Sequence, residues 1–296
     1  VTDTIIESIA SATAETFVEE VWCFVKIAYL GPPGSYSEEA VKNWDSVAEL
    51  IPVDSIHAVA KYVSDKKVDH GMVPIENSIE GGVTSTLDLL IHDFELSISG
   101  ESVLTIKHCL MAQSNLDVSE ITKVFSHPQS LGQCRKFLNS ILPSAEIIAS
   151  LSNSRAVEDM MNGHDSTIAA IASERAANIY GAKILKKNIQ DNLNNETRFV
   201  LLSHQDHIPT GNDKTSLCFE YGDDAPGILS ESLRVFASRD INLVKIESRP
   251  NKIDLGKYVF FVDIEGHRTE DKVTEAISVL KTQVSKIKIL GSYPNK

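Results

Sequence analysis

The feature that most constrains the fold of this chain is a repeated order of short apolar strand, polar turn and amphipathic helix. This order predicts strands at residues 25–30, 50–53 and 70–75, and a second series begins at Lys123. Such alternation is typical of parallel sheets covered by helices. Small hydroxyl and amide residues follow most of these strands, and the ends of parallel strands meet at one edge of a sheet. We therefore predict two α/β lobes whose polar rims face each other across a small-molecule site.

The connections between these strands predict how the chain divides. A long alternating apolar segment, residues 95–111, is expected to cross from the first lobe to the second, and a strand that begins at Phe199 is expected to return. The predicted boundaries are an N-terminal helical extension at 1–25 and a two-lobed α/β domain at 26–208, with lobe 1 at 26–103 and 190–208 and lobe 2 at 104–189.

The C-terminal segment, residues 214–296, repeats neither lobe. Its predicted elements follow the order βαββαβ, which is typical of a ferredoxin-like domain. The polar residues 204–213 before it include two histidines, His204 and His207, that have the residue type of metal ligands. A zinc site needs three or four ligands, and the pattern offers no third. We interpret this stretch as a linker and predict no metal site.

Composition limits the classes of partner. The formal net charge of −13 repels nucleic acid and anionic membranes, so we expect neither as a partner. The four cysteines are scattered without metal-binding spacing, which is typical of reduced thiols in the cytoplasm. The apolar run at residues 21–30 is shorter than the roughly 20 residues that span a bilayer, and no signal-peptide start precedes it. We therefore expect a cytoplasmic protein.

Two turns contain candidate ligand-binding residues. Gly31–Ser37 joins a strand to a helix, where free N–H groups can bind an anion; the alternative is a tight turn with Ser37 as the helix cap. After the third strand, Asn77 and Ser78 could orient a ligand or satisfy the backbone of their own turn. The pattern alone leaves both alternatives open.

Six segments, in this order and spacing, resemble the prephenate dehydratase family with its C-terminal ACT domain. They are Gly31–Ser37, Val73–Ser78, Ser126–Gln129, Asn195–Phe199, Gly227–Ser230 and Glu247–Pro250. The chain departs from the family pattern at Asn153, where a hydroxyl residue is usual, and at Ser35, where Thr is common. Residues 1–25 are too short for the chorismate mutase domain fused to some relatives, which leaves a remnant of it or an unrelated extension.

The resemblance implies a two-lobed catalytic domain like a type II periplasmic binding protein. It implies a cytoplasmic lyase that converts prephenate to phenylpyruvate, water and CO₂ in phenylalanine biosynthesis, without a cofactor. It also implies feedback inhibition by L-phenylalanine at the ACT domain, and a homodimer or a dimer of dimers. Two alternatives remain: the substrate could be arogenate, or the chain could be a solute-binding protein without catalysis.

The resemblance also implies roles for individual residues. Thr197 is expected to donate a hydrogen bond to the leaving hydroxyl, and Arg198 to bind a carboxylate or to fix the loop from behind. His127 could be an acid or a structural residue of its turn, and Phe199 could contact substrate or belong to the core. The expected substrate-binding residues are Ser35, Ser37, Glu76, Asn77, Ser78, Ser126, His127, Gln129 and Phe199. The expected L-phenylalanine site consists of Gly227, Ile228, Leu229, Ser230, Glu247, Ser248, Arg249 and Pro250.

Overall fold

A computed structural model describes residues 24–223 and 225–296. The N-terminal helical extension expected at residues 1–25 therefore lies outside the described residues, apart from Phe24 and Val25. No helix in the described part of the chain has the length and apolarity needed to cross a membrane.

Lobe 1 is a six-stranded mixed sheet with helices on its faces. Its strand order is β2-β1-β3-β11-β5, with β4 paired to β3; β1 is parallel to β2 and β3, and β11 is antiparallel to both its neighbours. The elements are β1 (Lys26–Leu30), α1 (Tyr36–Trp44), β2 (Glu49–Val53), α2 (Ile56–Ser64), β3 (His70–Asn77), β4 (Gly81–Gly82), α3 (Thr84–Asp88), a π-helical turn (Leu89–Asp93), β5 (Ser97–Thr105) and β11 (Glu196–Ser203).

Lobe 2 is a five-stranded sheet with the order β10-β6-β9-β7-β8. Its β9 strand is apolar and wholly buried, which is typical of a central strand covered on both faces. The elements are β6 (Cys109–Ala112), a 3-10 turn (Val118–Glu120), β7 (Lys123–Ser126), α4 (Pro128–Gln133), α5 (Arg135–Ile141), β8 (Glu146–Ala149), α6 (Asn153–Asn162), β9 (Ile168–Ala172), α7 (Glu174–Tyr180) and β10 (Lys183–Lys187).

The crossing between the lobes consists of two strands rather than one. Backbone pairing with β11 keeps β5 in the first sheet as far as Thr105, beyond the boundary predicted at residue 103. The chain then leaves that sheet through Ile106–His108 and enters lobe 2 at β6. The return strand also begins earlier than predicted, at Glu196, because β3 and β5 pair with its polar start from both sides.

The C-terminal domain has the predicted βαββαβ order and a four-stranded antiparallel sheet, β13-β14-β12-β15. One face of this sheet packs on its own two helices, and the other face shares a core with lobe 1 through Val259, Phe261 and Tyr293. The elements are β12 (Asp213–Glu220), α8 (Ile228–Ala237), β13 (Leu243–Pro250), β14 (Tyr258–Glu265), α9 (Asp271–Gln283) and β15 (Lys286–Pro294).

The two domains approach each other closely where β15 meets β5. Gly291 has a φ of +137°, and a Cβ added there would lie 2.2 Å from the carbonyl oxygen of Ile98. Only glycine fits this contact, since any side chain would push β15 away from β5. The C-terminal domain is thus fixed against the back of the lobe 1 sheet.

Candidate active site

A cavity of about 310 Å³ lies between the two lobes, at the edge where their strands end. Its walls carry hydroxyl, amide and imidazole side chains, while Leu30, Val83 and Phe199 supply apolar surface. Among the described residues that line it, none is Lys, Arg, Asp or Glu. An anion in this cleft would therefore be held by neutral donors and helix N-termini rather than by side-chain cations.

Thr197 lines this cleft from β11, next to Asn77 on β3. The backbone N–H groups of Ile79 and Glu80 both donate to Asn77 Oδ1, at 3.0 Å each. The other end of this amide is therefore its NH₂ group, and Asn77 Nδ2 donates to Thr197 Oγ1 at 2.9 Å. Since an NH₂ group accepts no hydrogen, the Thr197 hydroxyl keeps its own hydrogen for a partner in the cleft.

The N-terminus of α1 lies on the lobe 1 side of the cleft. Ser35, not Ser37, is the N-cap: its side chain accepts from Glu38 N–H and donates to Leu30 O. Because the first N–H groups of a helix have no intrahelical partner, this cap leaves those of Tyr36 and Ser37 for a ligand. The hydroxyl of Ser37 lies in the same wall. Together they form a candidate site for an anion.

The N-terminus of α6 lies opposite, on lobe 2. Its cap, Ser152, accepts from Arg155 N–H, which leaves the N–H groups of Asn153 and Ser154. The Ser154 side chain is 1% exposed and lines the cleft, and its Oγ has no hydrogen-bond partner among the described residues. A buried hydroxyl without a partner is costly, so a ligand atom is expected to satisfy it.

His127 caps α4 and lines the cleft. Its Nδ1 accepts from the N–H of Gln129 at 3.3 Å, and burial lowers the pKa of the imidazole. Both observations indicate a neutral ring at pH 7, which favours the structural and hydrogen-bonding role over the role of an acid. Gln129 follows it on the cleft wall and is itself exposed.

Four of the expected site residues do not line the cleft. Ser126 is fully buried, and its hydroxyl bonds Asn153 Oδ1 and Ile171 O, so it fixes the α6 turn. The Ser78 hydroxyl donates to Asn194 O and accepts from the N–H of Glu196, the first residue of β11. These two bonds tie the turn after β3 to β11. The remaining two, Glu76 and Arg198, lie on the opposite face of the lobe 1 sheet.

Arg198 faces the C-terminal domain. Its guanidinium lies 2.6 Å from Asp263 on β14, 3.4 Å from Glu76 and 3.5 Å from Glu101, and its side chain is 10% exposed. Burial by itself lowers the pKa of Arg198, but the carboxylate of Asp263 raises it above its usual value. Of the two roles considered for Arg198, this geometry matches fixing the strand from behind, because successive residues of a strand point to opposite faces.

The residues expected to bind L-phenylalanine also form two groups, one that faces lobe 1 and one that does not. Glu247 and Arg249 point to lobe 1, where Lys245 bridges Glu247 to Glu76 and Arg249 pairs with Asp88 at 3.1 Å. The others lie at the start of α8 or on the exposed positions of the edge strand β13, and they are Gly227, Ile228, Leu229, Ser230, Ser248 and Pro250.

Several residues that line the cleft are not among those expected, and besides Ser154 they include His108, Gln133 and Tyr36. The last three have a signal in the sequence. His108 interrupts an apolar run, and Gln133 lies four residues after Gln129, on the same face of a helix. Tyr36 lies inside the Gly31–Ser37 segment that carries part of the family resemblance.

A cleft between two α/β lobes, with a hydroxyl donor in its wall and a ferredoxin-like domain behind it, defines a bilobal small-molecule-binding domain fused to a ferredoxin-like domain. The chain belongs to the prephenate dehydratase family: residues 27–207 match the family model described as prephenate dehydratase, and residues 221–282 match that of the ACT domain. The activity of this family is that of a carbon–oxygen lyase.

Individual proteins agree with this assignment. The chain is 42% identical over 271 residues to the bifunctional chorismate mutase/prephenate dehydratase of Aquifex aeolicus, covering 91% of this chain and 74% of that one. A crystal structure of prephenate dehydratase from Arthrobacter aurescens in complex with L-Phe is 35% identical, with a TM-score of 0.85 and coverage of 92% and 90%. GqqA, described as a quorum-quenching acylase, is 26% identical with a TM-score of 0.83 and coverage of 92% and 98%.

Proposed function

We propose that this cleft converts prephenate to phenylpyruvate, CO₂ and water. The bond from the ring carbon to its carboxylate breaks, the electron pair moves through the cyclohexadiene, and the para hydroxyl leaves with the electrons of its C–O bond. Aromatisation drives the step, so the chemistry requires no external electron acceptor. The departing hydroxide takes one proton, ultimately from solvent, and leaves as water.

The observation that carries this proposal is the free hydrogen of the Thr197 hydroxyl. Because the Asn77 NH₂ group donates to Thr197 Oγ1 and cannot accept, the hydrogen of the Thr197 hydroxyl is left for another acceptor, and the cleft is where that acceptor would lie. A donor aimed at the leaving oxygen stabilises the negative charge that develops as the C–O bond breaks. An alcohol is a poor acid, so Thr197 acts as a hydrogen-bond donor and not as the final proton source.

The two carboxylates of the substrate fit the two helix N-termini. One would lie at the α1 N-terminus with Ser37, and the other at the α6 N-terminus with Ser154. Free N–H groups and the helix dipole both favour an anion there. Since the two helices belong to different lobes, a substrate with two carboxylates would bridge them. Gln129 and His127 would complete the lobe 2 side as neutral hydrogen-bonding groups.

The test is the turnover of prephenate by the Thr197→Ala variant. We expect kcat to fall about 10²–10⁴-fold, with thermal unfolding unchanged, because the lost group acts mainly in the transition state. Thr197→Ser keeps the hydroxyl and should retain most of the activity. Near-normal turnover by Thr197→Ala would disprove the role of this hydroxyl. Since a similar fold carries an acylase, the product must be identified as phenylpyruvate, and arogenate should be assayed in parallel.

We further propose that L-phenylalanine inhibits the enzyme at the ACT domain, in phenylalanine biosynthesis and in the cytoplasm. The support is the L-Phe complex of the similar Arthrobacter enzyme, together with exposed effector residues at the α8 start and on the β13 edge. The site would be completed between the ACT domains of a homodimer. The described cysteines are free and buried, as in a reducing compartment. Turnover and molar mass measured with and without L-phenylalanine test this proposal; no change in turnover would contradict it.

A further inference from the structure

We propose that Tyr36 is a positioning residue: its phenol group ties the substrate-binding end of α1 to the segment that crosses between the lobes. This inference rests on the proposed function, in which a substrate carboxylate lies at the α1 N-terminus. Tyr36 is the first residue of α1, directly after the cap Ser35, and it lines the cleft. One residue therefore supplies a backbone N–H group to the candidate anion site and a side chain to another part of the fold.

The phenol group of Tyr36 reaches the crossing segment, Ile106–His108. Its oxygen lies 2.7 Å from Lys107 O and 3.2 Å from His108 Nδ1. A carbonyl oxygen can only accept, so the phenol donates to Lys107 O, the nearer of the two. Burial raises the pKa of Tyr36 above its usual value, which keeps this hydrogen in place at neutral pH. The ring also packs edge-on against the His108 ring, at 5.9 Å between centroids.

The crossing segment is itself bonded to the chain that returns to lobe 1. The N–H of Ile106 donates to Asn195 O at 2.7 Å. The N–H of Ile189 donates to His108 O at 3.0 Å. Lys107 lies between these two anchored positions, and its carbonyl is the one that accepts from the phenol. The phenol therefore binds α1 to the pair of chain segments that connect the two lobes.

This bond matters because the first turn of α1 forms the candidate anion site. The N–H groups of Tyr36 and Ser37 and the Ser37 hydroxyl are its donors. The cap, Ser35, bonds Leu30 O and Glu38 N–H, both within five residues of it, and these local bonds fix the shape of the turn. The bond from Tyr36 to a residue 71 positions away fixes the place of the turn in the cleft, so that its donors meet the substrate in one orientation.

The test is Tyr36→Phe, which removes the hydroxyl and keeps the ring. We expect KM for prephenate to rise about 3–10-fold, the factor that corresponds to the loss of one ordinary hydrogen bond. The value of kcat should change by less than about threefold, because a carboxylate is bound at α1 before any bond of the substrate breaks. The matched control is Tyr221→Phe, which removes a hydroxyl 2.7 Å from Ser232 Oγ in the ACT domain. Assayed without L-phenylalanine, this control should leave KM unchanged.

Double variants separate positioning from a general loosening of the fold. Ser37→Ala should raise KM at the α1 site, and Ser154→Ala should raise it at the α6 site. Tyr36→Phe and Ser37→Ala act on the same contact, so their combined rise in KM should fall short of the product of the separate rises by about threefold or more. Tyr36→Phe and Ser154→Ala act on different sites, so their effects should multiply to within about twofold. Thermal unfolding of every variant is measured alongside the kinetics.

The outcomes distinguish this inference from the proposed function. If Ser37→Ala leaves KM unchanged, no substrate carboxylate lies at the α1 N-terminus, and that part of the proposed function is wrong together with this inference. If Ser37→Ala raises KM and Tyr36→Phe does not, the proposed function stands and Tyr36 is not a positioning residue. If the effect of Tyr36→Phe multiplies with both serine variants, or Tyr221→Phe raises KM as much, alignment of the α1 site is excluded as the cause.

Discussion

Two pairs of residues, one position apart on the same two strands, face different parts of the molecule. Thr197 pairs with Asn77 and faces the cleft; Arg198 pairs with Glu76 and faces the ACT domain. The first pair is neutral and the second is charged. The alternation of a strand thus places candidate catalytic chemistry and domain-fixing chemistry on opposite faces of one sheet.

The difference between the faces has a physical reason. On the cleft side, a carboxylate substrate must enter and a less charged product must leave, and neutral donors hold an anion without an ion pair that persists after the reaction. On the other side the contacts are permanent, so Arg198, Lys214, Glu101 and Asp263 can remain paired in a buried network. Buried charges are tolerated only when they are paired and hydrogen-bonded.

The largest effect is expected from breaking the charged side at Arg198. Among the described residues, Arg198→Met leaves the side chain of Asp263, which is 0% exposed, with only its hydrogen bond from Ser216. An uncompensated buried charge typically costs about 3–5 kcal/mol, and we expect that loss in the free energy of unfolding. Urea denaturation measures it. The control is Arg155→Met, whose partners Glu158 and Asp159 are on the surface and which should cost at most about 0.5 kcal/mol. Equal losses in both variants would contradict the comparison.

Next in size is the effect of Lys245, which links the ACT domain to the strand of Asn77. Its Nζ lies 2.7 Å from Glu76 and 3.1 Å from Glu247. Lys245→Met should weaken the coupling between L-phenylalanine and turnover, by about 1–3 kcal/mol if this bridge carries most of a typical coupling energy. The measurements are inhibition curves and calorimetric binding of L-phenylalanine. The control is Lys252→Met, because Lys252 is an exposed partner of Asp88. Unchanged inhibition of Lys245→Met would show that the signal takes another route.

The polar ends of strands made much of the cleft predictable from the sequence. Asn77 and Ser37 were expected at a shared rim because parallel strands end at one edge, whereas Thr197 was expected from the family resemblance. The structure brings all three to one cavity, because β11 runs antiparallel to β3 and its start therefore lies beside the end of β3. The opposite orientation of Arg198 was also available, since adjacent residues of a strand point apart. The family motif places Arg198 next to Thr197 in the sequence and so suggests one shared site. On a strand, however, two adjacent residues point to opposite faces of the sheet.

Other features depended on contacts between distant parts of the chain. The docking of the ACT sheet on lobe 1 requires Gly291 beside Ile98. The sequence around either residue does not predict that contact. A hydrogen bond between the amides of Gln133 and Asn195 joins residues 62 positions apart. Secondary-structure propensity and hydrophobic periodicity describe residues within one helix or strand. Contacts between residues far apart in the sequence are therefore seen only in the three-dimensional structure.

On the neutral side of the comparison, Ser154 tests whether the cleft binds the substrate through uncharged donors. Ser154→Ala removes a buried hydroxyl that has no hydrogen-bond partner in residues 24–223 and 225–296, so we expect the loss to fall on ligand binding and not on the fold. A hydrogen bond to a charged group contributes about 1.5–3 kcal/mol, and we expect KM for prephenate to rise about 10-fold or more. Ser140→Ala, on the exposed face of α5, is the control and should leave KM unchanged. A fall in thermal stability without a change in KM would show that the hydroxyl belongs to the core.

The smallest effect concerns the ion pair that joins the lobes beside this neutral cleft. Glu38 on α1 lies 2.5 Å from Arg175 on α7 and accepts from Gly34 N–H. Burial by itself would raise the pKa of Glu38, but the hydrogen bonds from Arg175 and Gly34 hold it below its usual value of 4.5. A carboxyl with a lowered folded-state pKa stabilises the fold fully above the unfolded-state pKa, and this contribution is lost as the pH falls through the folded-state value.

Glu38→Gln should therefore lower the free energy of unfolding by about 1 kcal/mol at pH 7, the size of one charge-assisted hydrogen bond in a partly buried pair. The difference from the starting protein should shrink as the pH falls below about 4, because the carboxyl is then protonated in both states. Urea denaturation across this pH range measures it, with Glu49→Gln, from a surface pair with Lys26, as the control. A difference that persists at low pH would mean that the side chain acts through packing, and the cleft would then be held together by neutral contacts alone.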